Sequence, residues 1–404
     1  MSMSPATRRP IPGLPSVPVG DCILWFAGVG WNSICGTDRR LIQAMREPVV
    51  WVDAAPSPLQ PGGRWLPAHQ GGVEIIRDEP LLVRVTTLTP PFSSRVGVRS
   101  TASIIKRLQV RTVLNRLGAH PRTVVSSYLD GARYSWAEDA VEVLLGTDDF
   151  AAGADLMGLS AKWLKRLERR SLRRADVVVA VTDGLADKWR ALGADPRVLR
   201  NGCEPLPKSD LRTYPCTDPS DTAPRRPVAG LVGQFSARIN LDVLERLATS
   251  EVELLLVGPV DPGWERERFR LLIERDSVHY VGPVPAEVVP QHLAQMDVGL
   301  TPYVNSQFNR ASFPLKTMEY LGAGIPVVTS RLPASEWVAA DLGPERSSRH
   351  IALADRPTEF VTEVQRLSRL RSKELDDERW RYASRHSWAS RAVELLSIVA
   401  EARR

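Results

Sequence analysis

At 404 residues the chain exceeds what one hydrophobic core fills, so two domains of roughly 150–220 residues are expected. A content of 43% hydrophobic and 25% charged residues excludes a disordered chain. Four scattered cysteines without Cys-x-x-Cys spacing (Cys22, Cys35, Cys203, Cys216) exclude a disulfide framework or zinc site and fit a reducing compartment such as the cytoplasm.

The net charge of +6 is uneven: residues 1–200 hold 27 Lys and Arg against 19 Asp and Glu, the remainder 26 against 28. Residues 1–20 are rich in Pro and Ser, lack the apolar segment of a signal peptide and read as a flexible lead-in. No apolar run reaches the ~18 residues that span a bilayer, so a soluble or peripheral protein is expected.

In chain order, "CILWFAG" (22–28) reads as the first strand. Gly28 and Gly30 in "AGVGWNS" resemble the start of a dinucleotide fingerprint, but Ser33 stands where the third glycine belongs. The loop Gly28, Gly30, Trp31 and Asn32 is therefore expected to let backbone approach a substrate in a cleft. A helix over 37–46 follows, in which Asp38 is either a cap or a functional carboxylate. Strands are expected at 49–53, 73–78 and 81–88. The stretch 80–129 carries eight basic residues (Arg84, Arg95, Arg99, Lys106, Arg107, Arg111, Arg116, Arg122) and no acid. That block suits an anionic partner, or else a solvated helix face. On a wheel of helix 98–117, Ile104, Ile105 and Leu108 point away from Val110, Val113, Leu114 and Leu117. Strand 123–129, helix 159–174 and strand 176–182 complete a first parallel, doubly wound sheet.

Residues 203–227 hold six prolines and read as a linker between a domain at 21–202 and one at 228–375, with helices over 376–404 expected to pack back on the first. In the second domain, strands 228–235, 252–258, 278–282, 297–303 and 326–330 alternate with helices 241–249, 264–275, 286–295 and 314–322. Trp380 and Trp388 are expected packing anchors. Ligands of such sheets bind beyond the carboxyl ends of the strands, so a cleft between the domains is expected. In "SFPLKTMEYLGAGIPVVTS" (312–330), Pro314 opens a helix that carries Lys316 and Glu319 on one face. The helix start suits a phosphate, Lys316 adds charge and Glu319 could accept from a ribose diol. A surface ion pair worth ~0.2–0.5 kcal/mol is the competing explanation. The six histidines are isolated, and none is given a role.

The segment from Asp297 to Trp337 resembles the nucleotide-binding signature of GT-B glycosyltransferases, most of all the group-1 type that builds bacterial cell-surface polysaccharides and glycosylated metabolites. "RRADVVVAVTDGLADKW", "RVLRNGCE", "LVGQF", "LLLVGPVD" and "HYVGPVP" extend the likeness over about 160 to 340. The resemblance implies two Rossmann-like domains facing a cleft. It also implies a metal-independent transfer from a nucleoside-diphosphate sugar, such as a UDP-sugar, with no cofactor. On it, Glu319 holds the ribose, Lys316 and Arg238 the diphosphate, Gly282 and Pro283 the base through backbone groups, and Thr317 and Met318 flank the nucleotide. An earlier glutamate of many relatives is Ala311 here, so Asn305, Asn309 and Ser312 are the candidates for the donor sugar. The first domain should bind a hydroxyl acceptor, lipid-linked or otherwise anionic, and supply any base; Asp149, then Asp148, in "LLGTDDF" are the candidates. Helix capping is the plain alternative for both. An anionic membrane surface is an expected partner and nucleic acid is not. Ala311 also leaves room for a non-catalytic GT-B-like partner protein, and less readily for a sugar-nucleotide epimerase.

Overall fold

The computed structural model describes residues 19–28, 30–31, 36–54, 73–79, 81–87, 98–129, 136, 139–155, 159–210 and 225–403. The first domain is one eight-stranded sheet of β1 (Gly20–Phe26), β2 (Val49–Ala54), β3 (Val73–Glu79), β4 (Leu82–Thr87), β5 (Ala119–Ser126), β6 (Val141–Gly146), β7 (Val177–Ala180) and β8 (Pro196–Val198). Its order is β3-β4-β2-β1-β5-β6-β7-β8.

The expected all-parallel sheet needs one correction. β3 runs antiparallel to β4, with Ile75 opposite Val85, while the other strand pairs are parallel. Only two residues separate these strands, far too few for the crossover that a parallel pair requires. β6, absent from the expected elements, is buried along its whole length, so its sequence has no period-two signal. β8 is a three-residue edge, too short for any pattern.

The second domain has β9 (Val228–Val232), β10 (Glu253–Val257), β11 (Val278–Gly282), β12 (Val298–Thr301), β13 (Val327–Ser330) and β14 (Ile351–Ala354) in the order β11-β10-β9-β12-β13-β14. All of its pairs are parallel. Strand order reverses between β9 and β12 here, and between β1 and β5 in the first sheet. Those two points are where a doubly wound sheet opens a crevice.

The turn after helix Leu315–Gly322 is locked from outside. Gly324 sits at φ +74, where a side chain would be strained and its Cβ would meet Asp376 at 3.0 Å. Fully buried Arg379 donates to the Gly324 carbonyl and to Asp376. Helix Lys373–Arg385 thus fastens the Gly-Ala-Gly return that ends the Lys316–Glu319 helix. The chain then crosses back. Helix Trp388–Ala402 packs on helix Thr37–Ala44 and against β6 and β7, burying Trp388, Leu395 and Val399 in the first domain's core. The crossing runs beside the outward one: Cys203 N–H donates to the His386 carbonyl at 3.0 Å and Trp388 N–H to the Cys203 carbonyl at 3.2 Å. Trp380 is held at the same place, its indole N–H donating to the Leu206 carbonyl at 2.8 Å.

Candidate active-site cleft

The two switch points face each other across a cavity of about 550 Å3. The first domain lines it with Gly28 beyond β1, Ser127 and Tyr128 beyond β5, Asp148 beyond β6, and the start of helix Thr37–Ala44. The second lines it with Gly233 and Gln234 beyond β9, Tyr303 beyond β12, Arg238, and the segment Ser312–Lys316. Glycine is obligatory just behind the cavity wall at Gly233. Gly258, at φ +139, would drive a Cβ to 1.9 Å from the Gly233 carbonyl oxygen, so two strand ends touch backbone to backbone. The cleft is tied across its mouth by Asn201, which accepts from Thr37 Oγ1 at 2.9 Å and donates to the Phe313 carbonyl at 3.1 Å.

On the second-domain side, helix Leu315–Gly322 starts at Pro314 with no side-chain cap, so its first amides and positive dipole end meet the cavity. Lys316 lines the cavity and donates to Glu319 Oε2 at 2.6 Å; Arg40 of the first domain donates to Glu319 Oε1 at 3.1 Å. Burial raises the Glu319 carboxyl, but the Lys316 and Arg40 charges outweigh it and hold it below the ordinary value. Glu319 is therefore an anion with both oxygens occupied by cations that a polar ligand could replace. Arg238 is braced rather than free. Its Nε donates to Asn309 Oδ1 at 2.9 Å, its guanidinium lies 4.9 Å from the Phe308 ring centre, and Asn309 donates back to the Arg238 and Val304 carbonyls.

Several expected site residues sit elsewhere. Asn309 is 2% exposed and spends its amide on Arg238, so it positions that cation and has no group left for a sugar. Thr317 and Met318 are fully buried on the core side of the helix, Thr317 against Thr301 at 3.3 Å, because they lie off the Lys316–Glu319 face. Asn305 is exposed, in contact with Arg310. Gly282, at φ +81, accepts from Gly258 N–H, and exposed Pro283 follows it; both lie outside the cavity wall. Trp31 is a core residue, edge-on to Trp51, with its N–H on Asp53 and the Arg39 guanidinium 5.1 Å from its ring. Gly30 is exposed beside it, and Asn32 lies outside the described residues.

Of the two candidate bases, Asp149 is corrected. Its carboxylate is 1% exposed, accepts from Lys188 Nζ at 2.7 Å and from Ala152 N–H at 2.9 Å, and faces away from the cavity. It anchors a turn, with Lys188 shared by buried Glu168. Asp148 does line the cavity. It accepts from Ser312 Oγ at 2.8 Å across the domain gap, and burial pushes its carboxyl up against the pull of Arg238 and Ser312. Asp38, left open between cap and function, is 7% exposed at the cavity wall. It caps nothing: the helix N-cap is Gly36, without a side-chain cap bond. Its Oδ2 accepts from Ser127 Oγ at 2.5 Å. Burial lifts its carboxyl to about 7, with Ser127 and the Trp25 indole pulling it back and the Asp148 charge adding to the rise. Arg40 and Asn201 were not foreseen. Asn201 lay in "RVLRNGCE", whose likeness to relatives was the available signal, whereas Arg40 had none, since its partner is 279 residues away.

Residues 226–369 match the family described as Glycosyl transferases group 1. A Bacillus subtilis protein named as a candidate teichuronic acid biosynthesis glycosyltransferase is 29% identical over 188 residues, which are 43% of this chain and 45% of that protein. The match thus spans less than half the length of the curated relative. Over the whole chain the fold is similar to that of sucrose-phosphate synthase from Thermosynechococcus elongatus (TM-score 0.70, 14% identity, 94% of this chain and 98% of that one). It is also similar to Anabaena HepE, solved in complex with UDP and glucose (TM-score 0.63, 14% identity, 94% and 100%). The sequence likeness to group 1 glycosyltransferases thus lies in the second domain, and the chain as a whole has the two-domain GT-B fold of these solved structures.

Proposed function

We propose that the protein transfers a sugar from a nucleoside-diphosphate donor to an acceptor hydroxyl, in the synthesis of a surface polysaccharide or other glycoconjugate. The observation that carries this is an uncapped helix start whose Lys316 lines a cavity that two sheet switch points share, with Glu319 paired to Lys316 beside that lining. The diphosphate lies at that helix start, where backbone amides, Lys316 and the braced Arg238 supply positive charge without a metal. The ribose diol replaces Arg40 on Glu319, and the base extends past the cavity wall towards the strand ends at Gly258 and Gly282–Pro283. Uracil is the preferred base, on the likeness to HepE with UDP. Ser312, which lines the cavity, is the remaining candidate for the sugar.

The acceptor enters from the first domain and is lipid-linked or otherwise anionic. Helix Val98–Leu117 supports this, since Ile104 and Leu108 are 60% and 61% exposed one turn apart, beside exposed Arg111 and Arg116, with no acid in the helix. None of the helices among the described residues is long and apolar enough to cross a membrane.

Titration calorimetry with UDP, GDP and ADP and with the matching nucleosides tests the reading. Glu319→Ala should weaken nucleotide at least about tenfold, by removing two charge-assisted bonds to the ribose. Lys316→Ala should weaken the diphosphate far more than the nucleoside. Normal diphosphate binding by both variants would reduce the pair to a surface ion bridge and remove the donor site.

A further inference from the structure

We propose that a second cavity, in the second domain and away from the cleft, binds the phosphate group of a small ligand, and that its one carboxylate selects a phosphate ester bearing hydroxyls. This cavity of about 370 Å3 lies between helix Pro344–His350 and helix Lys373–Arg385, and none of its lining residues lines the cleft. His350, in its wall, directly precedes β14. The cavity therefore sits towards the amino end of that strand, whereas the cleft lies beyond the carboxyl ends of the sheet.

Helical spacing builds the wall. Glu378, Arg381, Tyr382 and Arg385 recur at intervals of three and four and share one face of their helix; Arg346 and His350, four apart, do the same on the other. Three guanidinium groups thus stand against a single carboxylate. Arg346 and Arg385 form no ion pair among the described residues, and Arg381 reaches only Asp377, at 3.9 Å. Arg385 lies instead over the Tyr382 ring, 5.5 Å from its centre. Nearby Arg371, Arg379 and Arg391 each have a carboxylate partner at 2.5–2.7 Å, so the positive charge left uncompensated here is local to the cavity. Helix capping does not account for Arg346. The Ser348 and Arg349 carbonyls at the end of its helix are already met by Arg366 and Arg379.

His350 is 1% exposed and adds no cation, because burial and the Arg379 charge lower its imidazole to about 4. The neutral ring donates Nε2–H to Glu378 Oε2 at 3.1 Å and leaves Nδ1 buried without a hydrogen-bond partner, a polar orphan that a bound polar group would answer. Phosphate is the group this set suits. Arginine forks match its oxygens, and a bound dianion relieves the mutual repulsion of three like charges. Glu378 opposes a bare phosphate, yet its carboxylate can accept from hydroxyls on the same ligand. A sugar phosphate offers both groups, and the cavity holds a molecule of that size.

The test is titration calorimetry on the full chain with inorganic phosphate, glucose 6-phosphate and glucose. Wild type should bind glucose 6-phosphate more tightly than inorganic phosphate, and glucose not at all. Arg346→Ser with Arg385→Ser should weaken both phosphates by about tenfold or more through lost charge-assisted bonds, with an unchanged thermal midpoint, since both side chains are exposed. Glu378→Gln, which can still accept from His350, should close the gap between the two phosphates. Lys316→Ala should leave both affinities as they are, because the cleft takes no part. Phosphate binding untouched by the double arginine variant, or abolished by Lys316→Ala, would overturn the proposal, as would no binding by the wild type at millimolar concentrations. Equal wild-type affinity for the two phosphates would overturn the selection by Glu378 and leave free phosphate as the ligand. None of these readouts depends on the proposed transfer.

Discussion

Replacing Asp38 by Asn should make the protein more stable, and by an amount that depends on pH. The carboxyl rises from an ordinary value of 3.8 to about 7 in the folded protein, chiefly through burial. Below the lower value both states hold the proton, and burial of the neutral acid costs the fold little. As pH climbs through that window the unfolded chain ionises first, so the native state binds more protons and stability falls with rising pH. Three units at about 1.4 kcal/mol each set an upper bound of about 4 kcal/mol on what the wild type has lost once pH passes the upper value. Asn matches Asp in volume, can accept from Ser127 through its carbonyl, and never ionises. The variant should therefore match the wild type in acid and exceed it by roughly 2–4 kcal/mol at neutral pH. Urea unfolding of both proteins across the window measures the difference directly. A gap that stays constant with pH, or a variant less stable at neutral pH, would refute the burial argument.

Asp149→Asn should cost roughly 2–4 kcal/mol, because it breaks a buried pair with Lys188, and should leave UDP-sugar turnover unchanged; lost turnover at unchanged stability would contradict its placement as a turn anchor. Arg40→Ala removes the guanidinium that occupies Glu319 Oε1, so uridine affinity should rise by about two- to fivefold, the scale of a partly exposed ion pair, in calorimetry. Gly258→Ala should destabilise by about 2 kcal/mol or more in thermal unfolding, since its Cβ would enter the Gly233 carbonyl. Ile104→Asp with Leu108→Asp should abolish sedimentation with vesicles rich in anionic lipid while UDP affinity stays unchanged. Equal sedimentation of this variant and the wild type would remove the membrane surface from the proposal.

Regular alternation of short β-branched runs with helical segments was enough to read two doubly wound domains. The Lys316–Glu319 spacing, the glycines after β9 and β10 and at the end of β11, and the proline-rich 203–227 segment are likewise legible as local chemistry. Local pattern fails where a residue's neighbours are distant. Asp148 and Asp149 are adjacent in sequence, yet one side chain faces the cleft and Ser312 while the other faces Lys188, and no periodicity distinguishes them. Asn309 looked like a sugar contact until its amide proved to be spent on Arg238, 71 residues away. Arg40 meets Glu319 across 279 residues, on helix Thr37–Ala44, against which helix Trp388–Ala402 crosses back to pack. Backbone propensity and hydrophobic period act over a few residues, and they determined the elements and their order. Burial and charge pairing act through space, so only the tertiary structure decided which carboxylate is an anchor, which is paired with two cations and which faces the cleft without one.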